Sequence, residues 1–168
     1  MIVAKVGGSL FDHPQFASGL RAWIAAQPGD AILVPGGGTF AEAVRDMDRL
    51  HALGDDESHW LALRAMDVAG GMLKAIVGSA ARVPNCFEFF GSHDSVPHSW
   101  DATSDSLALA FAQYVRAEKL VLLKSRDGRI GEDGFVDGYF SILLEKQPIP
   151  VEVVDFRNWI ESQPPASR

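Results

Sequence analysis

The stretch Ala4-Lys5-Val6-Gly7-Gly8-Ser9-Leu10, "AKVGGSL", joins a short apolar run to a glycine loop. The run Ile2–Val6 has the length and the apolar character of a buried strand. A lysine at the end of such a strand, followed at once by two glycines and a serine, is compatible with a plain tight turn or with a loop that cradles phosphate. The choice between these two interpretations depends on the rest of the chain.

The alternation of strand and helix patterns predicts an α/β fold. Four apolar runs have strand length: Ile2–Val6, Ala31–Val34, Leu120–Leu123 and Val151–Val154. Runs without polar alternation are typical of parallel strands that are covered on both faces. Three helical patterns lie between them, and they begin at Thr39, at about Glu57 and near Thr103. We therefore predict a three-layer αβα sandwich around a mostly parallel sheet.

The boundaries of these elements follow from local signals. Thr39 and Glu42 form a capping-box pattern, which predicts that Thr39 caps the helix after the glycine triplet. The long helix is expected to end at Val77, before Gly78, and residues 82–100 are expected to be mainly loop with one short strand. One domain is predicted over residues 1–162, with a frayed tail over 163–168.

Composition excludes several classes of function. The net charge is −7, and the 15 Lys and Arg residues form no run of five, which argues against a nucleic-acid surface. No apolar run approaches the roughly 20 residues of a membrane span, and no leader pattern opens the chain, so we expect a cytoplasmic protein without a membrane partner. The single cysteine and the spacing of the five histidines predict no protein-held metal.

Two glycine loops each follow a predicted strand and open a helical segment. The second loop, Gly36-Gly37-Gly38, follows the run Ala31–Val34. In an open α/β sheet, ligands bind outside the carboxyl ends of the strands, where both loops are expected to lie. Glycines let backbone N–H groups approach an anion closely, and Lys5 adds a charge beside them. Neither loop matches the P-loop or the dinucleotide-binding pattern, but together with Lys5 they predict a phosphate site.

The stretch "HSWDATSDSLALAFA", His98–Ala112, crowds Thr103, Ser104, Asp105 and Ser106 into one helical turn. One such residue suffices to cap a helix, so the surplus indicates either capping or a site for an anion or a hydroxyl group. Asp105 is placed to accept a hydrogen bond from a lysine. His98 lies in the irregular segment before it and is a candidate substrate contact, whereas His51 and His59 are expected to face solvent and Trp100 to pack.

A second lysine, Lys124, ends the third predicted strand in "VLLKSRDG". It is either a solvated strand end or a partner of Lys5 at the same edge of the sheet. Two lysines with Asp105 nearby would suit phosphoryl transfer, which depends mostly on positioning and on neutralising charge.

These motifs, in this order, resemble the amino acid kinase superfamily, which includes acetylglutamate, aspartate, carbamate, uridylate and isopentenyl phosphate kinases. The family's "K-x-GGS" opening is similar to Lys5–Ser9, its second glycine loop to Gly36–Gly38, and its "D-x-x-A" helix start to Asp105 and Ala108. Its "TDVDG" segment falls on the stretch Lys124–Gly128.

The resemblance implies an αβα fold and ATP-dependent phosphorylation of a small molecule, with Mg²⁺ bound together with the nucleotide. It makes Lys5, Asp105 and Lys124 the catalytic candidates. The nucleotide-binding candidates are Gly7, Gly8, Ser9, Gly37, Gly38, Ser125, Asp127 and Gly128. The substrate-binding candidates are Gly36, His98, Thr103 and Ser104. It also implies a homo-oligomer.

Two features depart from the family pattern: the segment after Gly128 is short, and Lys124 and Ser125 replace the threonine and aspartate of "TDVDG". The stretch "PHSWDATSDSLA" looks like that of a short subgroup, the kinases of methanofuran biosynthesis, which phosphorylate an aminomethylfuran phosphate to its diphosphate. Two functions therefore stay open: a small-molecule kinase, and a nucleotide- or anion-binding relative without catalysis. The retention of Lys5, Asp105 and both glycine loops favours the kinase.

Overall fold

A computed structural model describes residues 1–163. Its sheet has four parallel strands in the order β2-β1-β3-β4: β1 (Ile2–Val6), β2 (Ala31–Pro35), β3 (Leu120–Lys124) and β4 (Val151–Asp155). Lys5 pairs with Val34 on one side and with Leu122 on the other, so β1 lies in the middle of the sheet. The predicted parallel sheet is thus confirmed, and each strand lies within a residue of its predicted position.

Seven α-helices accompany the strands in the described part of the chain. They are α1 (Phe16–Ala25), α2 (Gly38–His51), α3 (Asp55–Val77), α4 (Cys86–Ser92), α5 (Ser104–Tyr114), α6 (Phe140–Lys146) and α7 (Phe156–Glu161), and a 3-10 turn spans Gly8–Leu10. None of the helices among the described residues combines the length and the apolar character that crossing a membrane requires.

Hydrophobic cores on the two faces of the sheet make the fold an αβα sandwich. Val3, Ile32 and Leu122 pack into one core with residues of α4, α5 and α6. Ala4 and Leu33, which alternate with them along the strands, pack into the other with residues of α1 and α7. Helix α3 contributes to both cores, since its middle part joins the first and its last turns join the second.

Two predictions of local structure are wrong. The segment expected to be loop contains α4, which is capped by Asn85 and by Asp67 of α3, whose carboxylate accepts from the amides of Cys86 (2.6 Å) and Phe87 (3.1 Å). Thr39 does not cap α2, because the helix begins one residue earlier, at Gly38, and no side chain caps it. Five residues of the predicted tail, 164–168, lie outside the described part of the chain.

Helix α2 buries none of its residues, although its sequence is amphipathic. Phe40 is 36% exposed and Met47 is 47% exposed, so the apolar side of α2 does not enter the core. Helix α2 instead packs along α3 and carries the second glycine loop at its start.

Candidate active site

The structure brings Lys5, Asp105 and Lys124 into direct contact at one edge of the sheet. Lys5 Nζ lies 2.8 Å from Asp105 Oδ1, and Lys124 Nζ lies 2.6 Å from Asp105 Oδ2. Lys5 comes from β1 and Lys124 ends β3, the adjacent parallel strand, so both side chains leave the sheet at its carboxyl edge. Asp105 reaches them from the first turn of α5. One carboxylate thus bridges two ammonium groups.

This triad is buried, which strengthens its electrostatics. The side chains of Lys5 and Asp105 are only 7% and 8% exposed. Burial by itself would raise the pKa of Asp105, but the charges of Lys5 and Lys124 outweigh it and lower that pKa below its usual value. Burial and the charge of Lys5 lower the pKa of Lys124, against the opposing charges of Asp105 and Asp137. The triad carries one more positive than negative charge, an arrangement that attracts an anion.

The two glycine loops pack directly against each other beside the triad. A Cβ atom on Gly8 would lie 2.3 Å from both the Cα and the N of Gly38, and one on Gly36 would lie 2.8 Å from the N of Gly8. Gly38 also adopts a φ of +55°, a left-handed conformation that favours glycine. Side chains at these positions would push the two loops apart, which explains why both loops consist of glycine.

Some backbone amides of the two loops donate hydrogen bonds within the protein, and others are available to a ligand. The amide of Gly7 donates to the carbonyl of Leu123 (2.9 Å), and that of Gly36 donates to the carbonyl of Val6 (2.7 Å). The expectation that the Gly7 amide binds phosphate is therefore wrong, because strand-end pairing already uses it. Within residues 1–163 the amides of Gly8, Gly37 and Gly38 donate to no protein group.

A cavity of about 660 Å³ opens beside these available amides. Gly8, Ser9, Gly37 and Gly38 form part of its wall, and so do Thr103 and Ser104. The remaining wall is mostly apolar and includes Phe40, Met66 and Leu107, with Arg45 as its basic side chain. Two substrate-binding candidates, Gly36 and His98, do not line the cavity: Gly36 packs beneath Gly8, and His98 lies behind His59.

The polar first turn of α5 is held from within the protein. Asp137, from the loop between β3 and α6, accepts hydrogen bonds from the amides of Thr103 (2.9 Å) and Ser106 (3.0 Å). It also accepts from the hydroxyls of Thr103 (2.9 Å) and Ser106. Thr103 and Ser106 thus bind a protein carboxylate, whereas Ser104 is not among the donors to Asp137 and lines the cavity.

The remaining nucleotide-binding candidates lie on the loop that follows β3. Ser9 Oγ donates to Ser125 Oγ (2.9 Å), which links this loop to the first glycine loop. Asp127 is exposed and contacts the amide of Gly128. Phe135 is buried against Gly128, and its carbonyl accepts from Lys124 Nζ at 2.8 Å. These contacts bring Ser9 and Ser125 together but place Asp127 outside the triad.

Two histidines and two aspartates, which come from two separate segments of the sequence, form a cluster behind the cavity. His98 contacts the carboxylates of Asp56 and Asp94, and its ring stacks on that of His59 with centroids 3.9 Å apart. Burial lowers the pKa of His59 to about 4, whereas the two aspartates outweigh burial and raise the pKa of His98. His59 is buried, contrary to the expectation that it faces solvent.

This cluster is arranged as an ion pair rather than as a metal site. Donor atoms of His59, Asp94 and His98 lie within 4.8 Å of one another. Both nitrogens of His98 already contact carboxylates, however, and the two imidazole rings are within 12° of parallel. Parallel stacked rings cannot point their nitrogen lone pairs at one common ion.

Trp100 is one of the aromatic residues of the cavity wall. Its indole N–H donates to Asp48 of α2 (2.8 Å), and the guanidinium of Arg45 lies 4.5 Å from the centre of the ring. Arg45 also pairs with Glu42, one turn earlier on α2. Trp100 is half-buried, and these contacts hold it in the wall of the cavity.

The chain is similar to two known kinases, to one in fold and to the other in sequence. A crystal structure of uridylate kinase from Archaeoglobus fulgidus has the same fold, with a TM-score of 0.63, 96% of this chain and 94% of that chain covered, and 18% identity. A [5-(aminomethyl)furan-3-yl]methyl phosphate kinase from Methanocaldococcus jannaschii is similar in sequence, with 27% identity over 76% of this chain and 67% of the relative. No model of a protein family matches the chain. These two relatives confirm the resemblance to the amino acid kinase superfamily.

Proposed function

We propose that this chain is an ATP-dependent kinase that transfers the γ-phosphoryl group to a small acceptor which already carries a phosphate. The observation that carries the proposal is the buried Lys5–Asp105–Lys124 triad beside two glycine loops with available amides. Phosphoryl transfer requires neutralisation of charge on the transferring group and accurate positioning, and this arrangement offers both.

Each member of the triad has a distinct role in the proposal. Lys5 neutralises the transferring phosphoryl group, and Lys124 contacts the nucleotide phosphates. Asp105 holds both ammonium groups at fixed positions through contacts of 2.8 and 2.6 Å. Because the triad is buried, these charges act in a medium of lower dielectric constant than water, where their effect on a developing negative charge is larger.

The nucleotide is assigned to the glycine loops and to the start of the loop after β3. The amides of Gly8, Gly37 and Gly38 are the donors for its phosphates. The other residues assigned to the nucleotide are Ser9, Ser125, Asp127 and Gly128. The available amides fit a polyphosphate because each can donate a charge-assisted hydrogen bond. Mg²⁺ bound with ATP would neutralise part of the charge of the phosphates.

The acceptor is assigned to the cavity of about 660 Å³, a size typical of small-molecule sites. Its mostly apolar wall with Trp100 suits a flat ring, and Thr103 and Ser104 add polar contacts near the triad. Asp55 on the wall suits an ammonium group. An aminomethylfuran phosphate, the substrate named for the Methanocaldococcus jannaschii relative, combines these features.

The experiment is incubation of the protein with ATP, Mg²⁺ and a panel of acceptors, with ADP release as the readout. The panel contains an aminomethylfuran phosphate, uridine monophosphate and a carboxylate acceptor such as acetylglutamate. The variants are Lys5→Ala and Asp105→Asn, with Lys119→Ala, a half-buried lysine paired with Glu152, as the matched control. We expect turnover of the furan phosphate by the protein and by the control, and loss of turnover in both site variants.

Three results would contradict the proposal in different ways. Full turnover by Lys5→Ala would show that the transferring phosphoryl group lies elsewhere. Turnover of the carboxylate acceptor alone would overturn the assignment of a phosphate acceptor. Binding of ATP without turnover of any acceptor would favour the alternative, a nucleotide-binding relative without catalysis.

A further inference from the structure

We propose that Asp137 is a positioning residue of the phosphoryl-transfer site, which fixes the first turn of α5 and so holds Asp105 between Lys5 and Lys124. This inference rests on the proposed kinase function. Asp137 itself touches neither lysine in the structure, so it acts through the turn that it binds.

The two residues that Asp137 contacts lie on either side of Asp105 in the sequence. Thr103, one contact, lies two residues before Asp105, and Ser106, the other, lies directly after it. Four donors from these two residues, two amides and two hydroxyls, converge on the one carboxylate. The backbone on both sides of Asp105 is therefore tied to the same remote group.

This arrangement replaces the ordinary helix cap. Thr103 is the N-cap residue of α5, but its hydroxyl donates to Asp137 and makes no capping bond to its own helix. Asp137 accepts from the amide of Ser106, the bond that a cap side chain ordinarily accepts. Its negative charge also lies at the positive end of the helix dipole. The orientation of the turn thus depends on a residue that lies 31 positions from Ser106 along the chain.

The loop that carries Asp137 also holds Lys124. Lys124 Nζ donates to the carbonyl of Phe135, two residues before Asp137. The charged groups that act on Lys124 are Lys5 of β1, Asp105 of α5 and Asp137 of this loop. Burial and Lys5 lower the pKa of Lys124, and the two carboxylates oppose that effect. This loop therefore acts on both ion pairs of the triad. It holds Lys124 through the carbonyl of Phe135, and it holds the turn that carries Asp105 through Asp137.

The test uses Asp137→Asn, which keeps the size of the side chain and removes its charge. Asp133→Asn, an exposed carboxylate of the same loop, is the matched control. Steady-state kinetics give kcat and both KM values, thermal unfolding reports stability, and an NMR titration of labelled lysine follows Lys124 in the protein without nucleotide. A change of position within an active site costs up to about a hundredfold in rate.

We expect Asp137→Asn to lower kcat by roughly tenfold to a hundredfold while both KM values stay within about threefold of the unchanged protein. We also expect Lys124 to titrate at lower pH, because one of the two carboxylates that favour its charged form is gone. A lower thermal stability with unchanged kcat and an unchanged Lys124 titration would overturn the proposal, since a merely structural cap gives that result.

A second variant keeps the proposal testable if Asp137→Asn does not fold. Ser106→Ala removes one of the four donors and leaves the charge of Asp137 in place. Reduced kcat with unchanged KM values in this variant supports the proposal, and unchanged kcat overturns it. If the protein turns over no acceptor, the kinase function fails, whereas the Lys124 titration still decides whether Asp137 acts on the triad.

Discussion

Lys5 Nζ lies 2.8 Å from Asp105 Oδ1, although the two residues are a hundred positions apart in the sequence and both are buried. A buried pair of this kind is costly to break, because the remaining partner keeps its charge without compensation. Asp105 compensates Lys5 and Lys124 at the same time. The stability of the fold and the charge of the site therefore depend on one carboxylate.

Asp105→Ala should destabilise the fold strongly. We expect the free energy of unfolding to fall by about 3–5 kcal/mol, the range observed when one partner of a buried ion pair is removed. Chemical denaturation measured by circular dichroism gives this value. Asp133→Ala, at an exposed position, should change it by no more than about 0.5 kcal/mol. A loss below about 1 kcal/mol for Asp105→Ala would show that the triad is well solvated.

Gly8→Ala should impair the phosphate site. The new Cβ would lie 2.3 Å from backbone atoms of Gly38, so the two glycine loops must separate. We expect the affinity for MgATP to fall by at least about tenfold, since the separated amides no longer converge on the same phosphates, and calorimetric titration measures that affinity.

Gly71→Ala is the matched control for this substitution. Gly71 lies within α3, and nothing lies within 4 Å of its added Cβ. Alanine there should raise stability by about 0.5–1 kcal/mol and leave nucleotide affinity unchanged. Equal nucleotide affinities for the two variants would contradict the role assigned to the contact of the loops.

Stability should decrease in mild acid because of His59. Its pKa is about 4 in the fold, against an ordinary value of 6.5, so the unfolded chain binds the proton more readily between these two values. The free energy of unfolding should therefore fall by on the order of 2 kcal/mol as the pH drops from about 6.5 to about 4. Thermal unfolding across this range is the measurement. In His59→Gln, the part of the decrease in stability that comes from protonation of His59 should be absent.

His98 should act in the opposite direction. The carboxylates of Asp56 and Asp94 outweigh burial and raise its pKa, so its contribution to stability is fully present below pH 6.5 and is lost as the pH rises through the raised pKa. His98→Gln should lose stability mainly at the lower pH, where the imidazolium is paired. A uniform loss from pH 5 to pH 9 would indicate that His98 stabilises the fold only through its stacking on His59.

Asp67→Ala should destabilise α4 locally. Its carboxylate accepts from two amides at the start of that helix, those of Cys86 and Phe87. Loss of a cap costs about 0.5–2 kcal/mol, and the neighbouring exposed Val68→Ala should cost less. In Asp67→Ala, hydrogen exchange should accelerate more at the amides of α4 than at those of α5. Unchanged exchange in α4 would show that Asn85 alone caps the helix.

The sequence determined the layers of the fold and the chemistry at the edge of the sheet. The mainly apolar runs at residues 2–6, 31–34 and 120–123 are sufficient to predict buried parallel strands. Since parallel strands end at the same edge, the positions of Lys5 and Lys124 followed from their places in the chain. The helix-start pattern added Asp105, and the glycine loops followed from their own composition.

Only the tertiary structure decided which polar groups are free and which are occupied. The sequence shows Gly7 and Gly8 as equivalent, but the pairing of β1 with β3 uses the Gly7 amide. It shows Thr103 as a cap, but a carboxylate 34 positions away binds it, and no local pattern predicts Asp137, Asp67 or the stacking of His59 on His98. Local composition specifies strands and turns, because their energetics depend on near neighbours. Hydrogen-bond partners and burial depend on residues that only the folded chain brings together.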